Sequence, residues 1–393
     1  MPRKVPESRP VHYRAVAKPR IVCVVGTRPD TIKTAPVVRA LRAHSDQVET
    51  LVIATGQHRE MLAQALAAFD LSADHDLAIM QHGQTLAQVT CRAMEGLDRL
   101  FDELKPNYVI AQGDTTTTFV AALTAFYRQI PFGHVEAGLR TDTIHNPFPE
   151  EFNRRAAGLV AAHHLAPTTW AAKNLLDEGK DPSTVYVTGN TGIDAVLSIA
   201  EQEKQTWLPD HTGRVILLTT HRRENWGEPQ RNLARAARRL VDRYEDAVMV
   251  VAMHRNPTVR EVLNAELGGH PRIQLIEPPD YAPFVKLMQR STLILTDSGG
   301  VQEEAPAFGK PVLVLRDTTE RPEGVDAGAA VLVGTVEDKI YAAACRLLDD
   351  PTAYDRMAQT VSPYGDGLAA ERTRYVVLKS LGIDTPEVAM WGS

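Results

Sequence analysis

Residues 21–31 read Ile21-Val22-Cys23-Val24-Val25-Gly26-Thr27-Arg28-Pro29-Asp30-Thr31. Five consecutive apolar residues, most of them β-branched, suit a strand buried on both faces, as strands of parallel sheets are. Gly26 permits a tight turn, Pro29 suits a first helical turn, and a helix is expected from about Thr31. A buried strand running directly into a helix is the repeating unit of α/β folds, and its connecting loop lies where such sheets bind ligands.

The same unit recurs along the chain. Further strands are expected at Thr50–Ala54, Tyr108–Ala111, Phe132–Val135, His163–Ala166 and Val185–Val187, then at Val215–Thr219, Val248–Ala252, Ile273–Ile276, Leu293–Thr296, Pro311–Leu315 and Ala330–Val333. Two sets of six predict an α/β protein with two doubly wound sheets, and the polar stretch Glu201–Gly213 places their junction between Gly189 and Gly213. A chain of 393 residues, 44% hydrophobic and 23% charged, is long enough for two such cores.

The net charge of −6 at pH 7 gives no basic excess to track a nucleic-acid backbone. Cys23, Cys91 and Cys345 are too few and too scattered for a disulfide framework, so buried thiols in a reducing, cytoplasmic setting are expected. No apolar run has signal-peptide or membrane-spanning length, and the basic stretch 1–19 reads as a flexible tail. Neither G-x-G-x-x-G nor a Walker A sequence occurs, so no nicotinamide cofactor is expected. No metal is expected either, because His163 and His164 point apart on a strand and no His-Glu-x-x-His spacing exists.

Candidate chemistry sits just after strands. At Gly26-Thr27-Arg28-Pro29-Asp30 the helix N-terminus offers N–H groups to an anion, with Arg28 and Lys33 adding charge; an ordinary turn with exposed cations is the alternative. Thr296-Asp297-Ser298-Gly299-Gly300-Val301-Gln302-Glu303-Glu304 pairs glycines that admit phosphate oxygens with Ser298 as hydroxyl donor. Glu304, one turn on, suits ribose hydroxyls, although a plain glycine turn reads equally well. Asp114 either acts chemically or caps the Thr-rich helix after it. Glu136 either acts chemically or pairs with Arg140, and Glu150 with Glu151 either acts chemically or serves as first-turn acid. His221 in Thr220-His221-Arg222-Arg223-Glu224-Asn225 suits a phosphate-bearing ligand or belongs to a solvated charge run.

Taken together, these segments resemble the non-hydrolysing UDP-N-acetylglucosamine 2-epimerases. Gly26-Thr27-Arg28-Pro29, Gln112-Gly113-Asp114-Thr115-Thr116-Thr117, His134-Val135-Glu136-Ala137-Gly138-Leu139-Arg140, Pro147-Phe148-Pro149-Glu150-Glu151, His221-Arg222-Arg223-Glu224-Asn225, Asp297-Ser298-Gly299-Gly300 and Arg316-Asp317-Thr318-Thr319-Glu320-Arg321-Pro322 stand in family order, over a match from about Ile21 to the carboxyl-terminal region. The resemblance implies a GT-B fold, two Rossmann-like domains facing across a cleft. Residues 20–195 and 196–365 would form them, with 366–393 packing back on the first. It implies that Asp114, Glu136 and Glu150 are catalytic carboxylates and that His221 lies beside the diphosphate.

Arg28, Lys33 and Arg140 would line the UDP-sugar cleft. Ser298, Gly299 and Gly300 would hold phosphate, Glu304 the ribose, and Arg316 would bind or close on UDP, with uracil near Tyr281 and Phe284. The family's regulatory UDP-N-acetylglucosamine site would involve Gln57 and His254. The run there reads Gln57-His58-Arg59-Glu60, and Gly83 stands where the family carries Arg; Asp30-Thr31 likewise replaces the usual Glu-Ala, and Thr34 the common Met. A homodimer without cofactor, interconverting UDP-N-acetylglucosamine and UDP-N-acetylmannosamine, is what the resemblance implies.

The chemistry is consistent with that. Carbon 2 has no adjacent carbonyl to acidify its proton, so expulsion of UDP from carbon 1 as a base removes that proton avoids a free carbanion. The intermediate is 2-acetamidoglucal, and re-addition with protonation on the opposite face completes inversion. Such a route needs acid/base groups on both ring faces, hence several carboxylates in one cleft. A hydrolysing epimerase, a glycosyltransferase of the same fold and a catalytically inactive nucleotide-sugar-binding regulator are the competing readings.

Overall fold

The computed structural model describes residues 18–56, 59–81, 83–141 and 143–392. Most of the basic tail, residues 1–17, and Gln57 therefore lie outside the described residues. Strands β1 (Arg20–Val25), β2 (Glu49–Ala54), β3 (His75–Asp76), β4 (Tyr108–Gln112), β5 (Phe132–Val135), β6 (His163–Ala166) and β7 (Val185–Val187) form one sheet, ordered β3-β2-β1-β4-β5-β6-β7. Strands β8 (Val215–Thr220), β9 (Val248–Met253), β10 (Ile273–Ile276), β11 (Leu293–Thr296), β12 (Val312–Val314) and β13 (Ala330–Leu332) form a second, ordered β10-β9-β8-β11-β12-β13.

Every pairing in both sheets is parallel. The winding reverses between β1 and β4 and again between β8 and β11, and at such a reversal the adjacent loops diverge to leave a crevice. The expected α/β class with two doubly wound sheets is met. All twelve expected strands are present with ends within one residue. The edge strand β3 was not foreseen, because two residues are too few to display a periodicity.

Burial explains why these stretches become strands. Ile21, Cys23 and Val25 face a core shared with Val37, Val38 and Leu41 of the helix Arg28–Arg42, whereas Val22 and Val24 face Leu97, Phe101 and Val120 on the other side. Burying one such aliphatic side chain is worth roughly 1.5–3 kcal/mol, so a strand covered on both faces favours an apolar run. In the second lobe Ile216 and Leu218 pack on Leu233, Ala237 and Leu240 of the helix Glu228–Arg243, whose buried residues recur at three- and four-residue spacing.

Two helices tie the lobes together. Ala195, Val196 and Ile199 of the helix Thr191–Gln202 share one core with Ile32 and Ala35 of the first lobe and Val215 and Leu217 of the second. The last helix, Ala369–Ser380, inserts Ala370, Val376, Val377 and Leu378 beside Ile21 and Leu41. Asp194 joins the two, accepting the N–H groups of Ala369 (3.2 Å) and Ala370 (2.8 Å).

Two expectations need correction. The first helix begins at Arg28 rather than Thr31, because extended Thr27 serves as its N-cap and Pro29 fits its first turn. Cys23 is buried and Cys345 half-buried, but Cys91 is exposed, on a helix face turned to solvent. Among the described residues no helix is long and apolar enough to cross a membrane, and no cluster of His, Cys, Asp and Glu could hold a metal ion.

Candidate active site

The crevice between β1 and β4 is shaped by close backbone approach. A Cβ on Gly26 would fall 2.1 Å from Thr117 Oγ1, so this turn requires glycine. The N–H groups expected to await an anion here are already occupied: Asp30 accepts from Thr27 N at 2.8 Å and from Gly26 N at 3.2 Å. What remains open is side-chain chemistry. A cavity of about 430 Å³ is lined by Arg28 and Lys33 together with Asp114, Glu136 and Glu150.

The three carboxylates arrive from different elements. Asp114 follows β4 and pairs with Arg154, while Asn153 donates to its backbone carbonyl at 3.0 Å. It does not cap the Thr-rich helix; Thr115 does, through its hydroxyl. Glu136 follows β5 in the left-handed region, at φ 62°, which turns its carboxylate back toward Lys33 and Gln112. Lys33 Nζ donates to Glu136 Oε2 at 2.5 Å and Gln112 Nε2 donates to the same oxygen at 2.7 Å. Arg140 is therefore not its partner. Glu150 opens the helix Glu150–Val160 as a first-turn acid whose carboxylate makes no ion pair among the described residues. Burial pushes the Glu136 carboxyl above the usual range, against the pull of Lys33.

The β8/β11 crevice is built around a buried acid. Asp297 accepts from His221 Nδ1 at 3.0 Å, from the N–H groups of His221 and Arg222, from the Thr220 hydroxyl and from Asn225 Nδ2. Burial opposes ionisation of Asp297, but these donors hold its carboxyl below the usual range. Asp297 thereby fixes the imidazole of His221 and leaves Nε2 directed away from it. His221, Phe284, Ser298 and His254 line a cavity of about 220 Å³. His254, read as regulatory, stands against His221 with ring centroids 5.9 Å apart.

Ser298 precedes the helix Gly299–Glu304, and its hydroxyl does not cap it. Arg321 crowds Gly299, its guanidinium carbon lying 2.9 Å from where a Cβ would sit; at Gly300 the nearest neighbour, Glu304 Oε1, would be 3.9 Å away. Tyr281 opens the helix Tyr281–Arg290 and lines a further cavity with Arg28 of the first lobe. Glu304 is pushed up to about 8 by burial and by the like charge of Glu303, and the Tyr281 hydroxyl beside it is raised as well.

Two expected binding residues are otherwise engaged. Arg140 makes a bidentate pair with Glu178, both bonds at 2.7 Å, and Arg316 is shared between Glu224 at 2.7 Å and Glu320 at 3.0 Å. Arg28, by contrast, makes no ion pair among the described residues and faces two cavities.

The family model described as UDP-N-acetylglucosamine 2-epimerase matches residues 39–377. The chain belongs to the UDP-N-acetylglucosamine 2-epimerase family. It is 50% identical over 357 residues to the UDP-N-acetylglucosamine 2-epimerase of Bacillus subtilis (strain 168), covering 90% of this chain and 94% of that protein. A structure of S. aureus MnaA with UDP superposes with a TM-score of 0.86 at 44% identity, over 95% of this chain and 100% of that one. The Neisseria meningitidis UDP-GlcNAc 2-epimerase bound to UDP-GlcNAc gives 0.83 at 44% identity, over 92% and 100%. The two-domain GT-B architecture expected from the sequence is that of these epimerases.

The stretches singled out in the sequence contain three residues whose roles were not foreseen. Asp297 orients His221, and Glu303 and Arg321 join Lys33 across the lobes: Lys33 Nζ lies 3.3 Å from Glu303 Oε2, and Arg321 Nε donates to Glu303 Oε1 at 2.8 Å. Arg154, the partner of Asp114, lay outside the motifs. For Asp297 a signal existed, since an acid directly after a strand at a switch point was the rule applied to Asp114. For Glu303 none existed, because its partners lie 270 and 113 residues upstream and 18 downstream.

Proposed function

We propose that this chain reversibly inverts carbon 2 of UDP-N-acetylglucosamine to give UDP-N-acetylmannosamine, by anti elimination of UDP to 2-acetamidoglucal and re-addition, retaining the intermediate. The observation that carries this reading is the convergence of Asp114, Glu136 and Glu150 on one cavity with Arg28 and Lys33, while a second cavity holds the oriented His221. Acids around the hexose supply proton transfer on its two faces, and cations with His221 stabilise charge on departing UDP. Positioned acid/base groups give about 10²–10⁴-fold, so charge stabilisation supplies much of the rest.

In this reading residues 20–195 form the sugar-side domain, 196–365 the UDP-side domain, and 366–393 return to the first. Ser298, Gly299 and Gly300 approach phosphate, Glu304 the ribose, and Tyr281 with Phe284 the uracil. Arg140 and Arg316, held by carboxylates, position their loops until nucleotide arrives. The chain works as a homodimer without a cofactor.

The deciding experiment is incubation with UDP-N-acetylglucosamine in heavy water, followed by NMR at carbon 2. Deuterium at that position in both UDP-linked epimers is expected. Free N-acetylmannosamine as the product would point to the hydrolysing reaction, and turnover only with an added acceptor to glycosyl transfer.

A further inference from the structure

Four charged side chains form a chain across the lobe junction, and it involves more than the sugar-side cavity requires. Lys33 on the first lobe gives one N–H to Glu136 (2.5 Å) and approaches Glu303 of the second lobe at 3.3 Å. Glu303 does not depend on Lys33 for its place. Arg321 Nε holds its Oε1 at 2.8 Å, and Asn190, which caps the helix Thr191–Gln202, holds its Oε2 at 3.0 Å. Glu303 is 6% exposed, Glu136 10% and Lys33 15%, so water screens these charges weakly.

We propose that Glu303 is a positioning residue for Glu136, acting through Lys33. When the lobes are together, Lys33 divides its charge between two carboxylates and Glu136 is left a stronger proton acceptor; when they part, Lys33 serves Glu136 alone. The proposal rests on the reading that Glu136 exchanges a proton with the sugar.

The sign follows from the charges that face Glu136. Lys33 on the helix Arg28–Arg42 and Arg321 before the helix Pro322–Asp326 favour its ionised form. Asp114 after β4 and Glu303 on the helix Gly299–Glu304 oppose it, and Gln112 donates to it without charge. Of the two second-lobe charges, Glu303 acts on Glu136 more strongly. Parting the lobes would remove Glu303 and Arg321 together and leave the close Lys33–Glu136 pair, in which the carboxylate is a weak base. Basicity would therefore rise only once the lobes enclose the sugar.

The test is the pH dependence of kcat/KM for Glu303→Gln. Its acid limb is expected to move down by ~1 pH unit, with turnover near neutral pH falling by up to ~10-fold, the ceiling for a base weaker by one unit. Glu303→Asp, which keeps the charge, is expected to restore the limb. Because Glu303→Gln orphans Arg321 and could misfold, Glu303→Gln/Arg321→Gln is measured beside it, with thermal melts of each; a smaller shift in the same downward direction is expected, since loss of Arg321 offsets part of the loss of Glu303. An acid limb unmoved in a folded Glu303 variant, with only the overall rate reduced, overturns the proposal. Glu136→Gln separates this from the underlying reading: full turnover by that variant removes the role of Glu136 itself, whereas its inactivity together with an unmoved limb removes only the role of Glu303.

Discussion

Single side chains here do work that depends on what holds them. His221 was legible as a candidate from its place after a strand, but its ring orientation comes from Asp297, 76 residues away. Asp297→Asn weakens that hold, so kcat is expected to fall roughly 10²-fold, with the ¹⁵N shifts of His221 reporting a changed tautomer balance. Unaltered kinetics would mean the imidazole does not depend on this contact. Glu304 offers a test by pH. Its folded value of about 8 lies above that of an unfolded glutamate, so the folded state binds the extra proton and stability declines as pH rises from about 4.5 to about 8. Glu304→Gln removes that titration. In differential scanning fluorimetry the variant is expected to match wild type near pH 5 and to melt increasingly above it up to pH 8, beyond which the gap stays constant.

At the scale of elements, the strand of the strand-turn-helix unit at Ile21 was legible because burial on both faces admits one kind of residue pattern. Its turn was only half legible. Gly26 could be read as a tight turn, yet what demands glycine is Thr117 on a different helix, 2.1 Å from where a Cβ would sit. Gly26→Ala is expected to destabilise by roughly 1–3 kcal/mol in urea unfolding, since the backbones of two elements must separate to admit one methyl group. The helix N-terminus after it was misread as an open anion site for a related reason: Asp30, three residues on, folds back onto the N–H groups of Gly26 and Thr27. A capping box has a sequence signature with Ser or Thr before Glu, and Thr27 with Asp30 is a shortened form of it.

For the whole molecule, a hinge is expected at the junction between Gly189 and Gly213, so that nucleotide binding is a change of shape. Small-angle scattering is expected to show a smaller radius of gyration with saturating UDP, and no change would remove the hinge. The proposed homodimer has a surface to form on. The helices Thr116–Tyr127 and Glu150–Val160 pack together through Phe119 and Phe152 and expose Tyr127 (65%) and Leu159 (77%). Sedimentation is expected to give twice the 43.2 kDa chain mass, and Tyr127→Asp/Leu159→Asp to give the single mass. A dimer that survives both substitutions would place the interface elsewhere. By itself the sequence determined the α/β class and twelve of the thirteen strands, and with them the loops that follow those strands, because burial and turn formation are local demands written in neighbouring residues. Only the tertiary structure decided which charges meet: that Glu136 pairs with Lys33 rather than Arg140, that Arg140 is spent on Glu178, and that Lys33 also reaches Glu303. Ion pairs form between side chains brought close by packing, and separation along the chain carries no record of that distance.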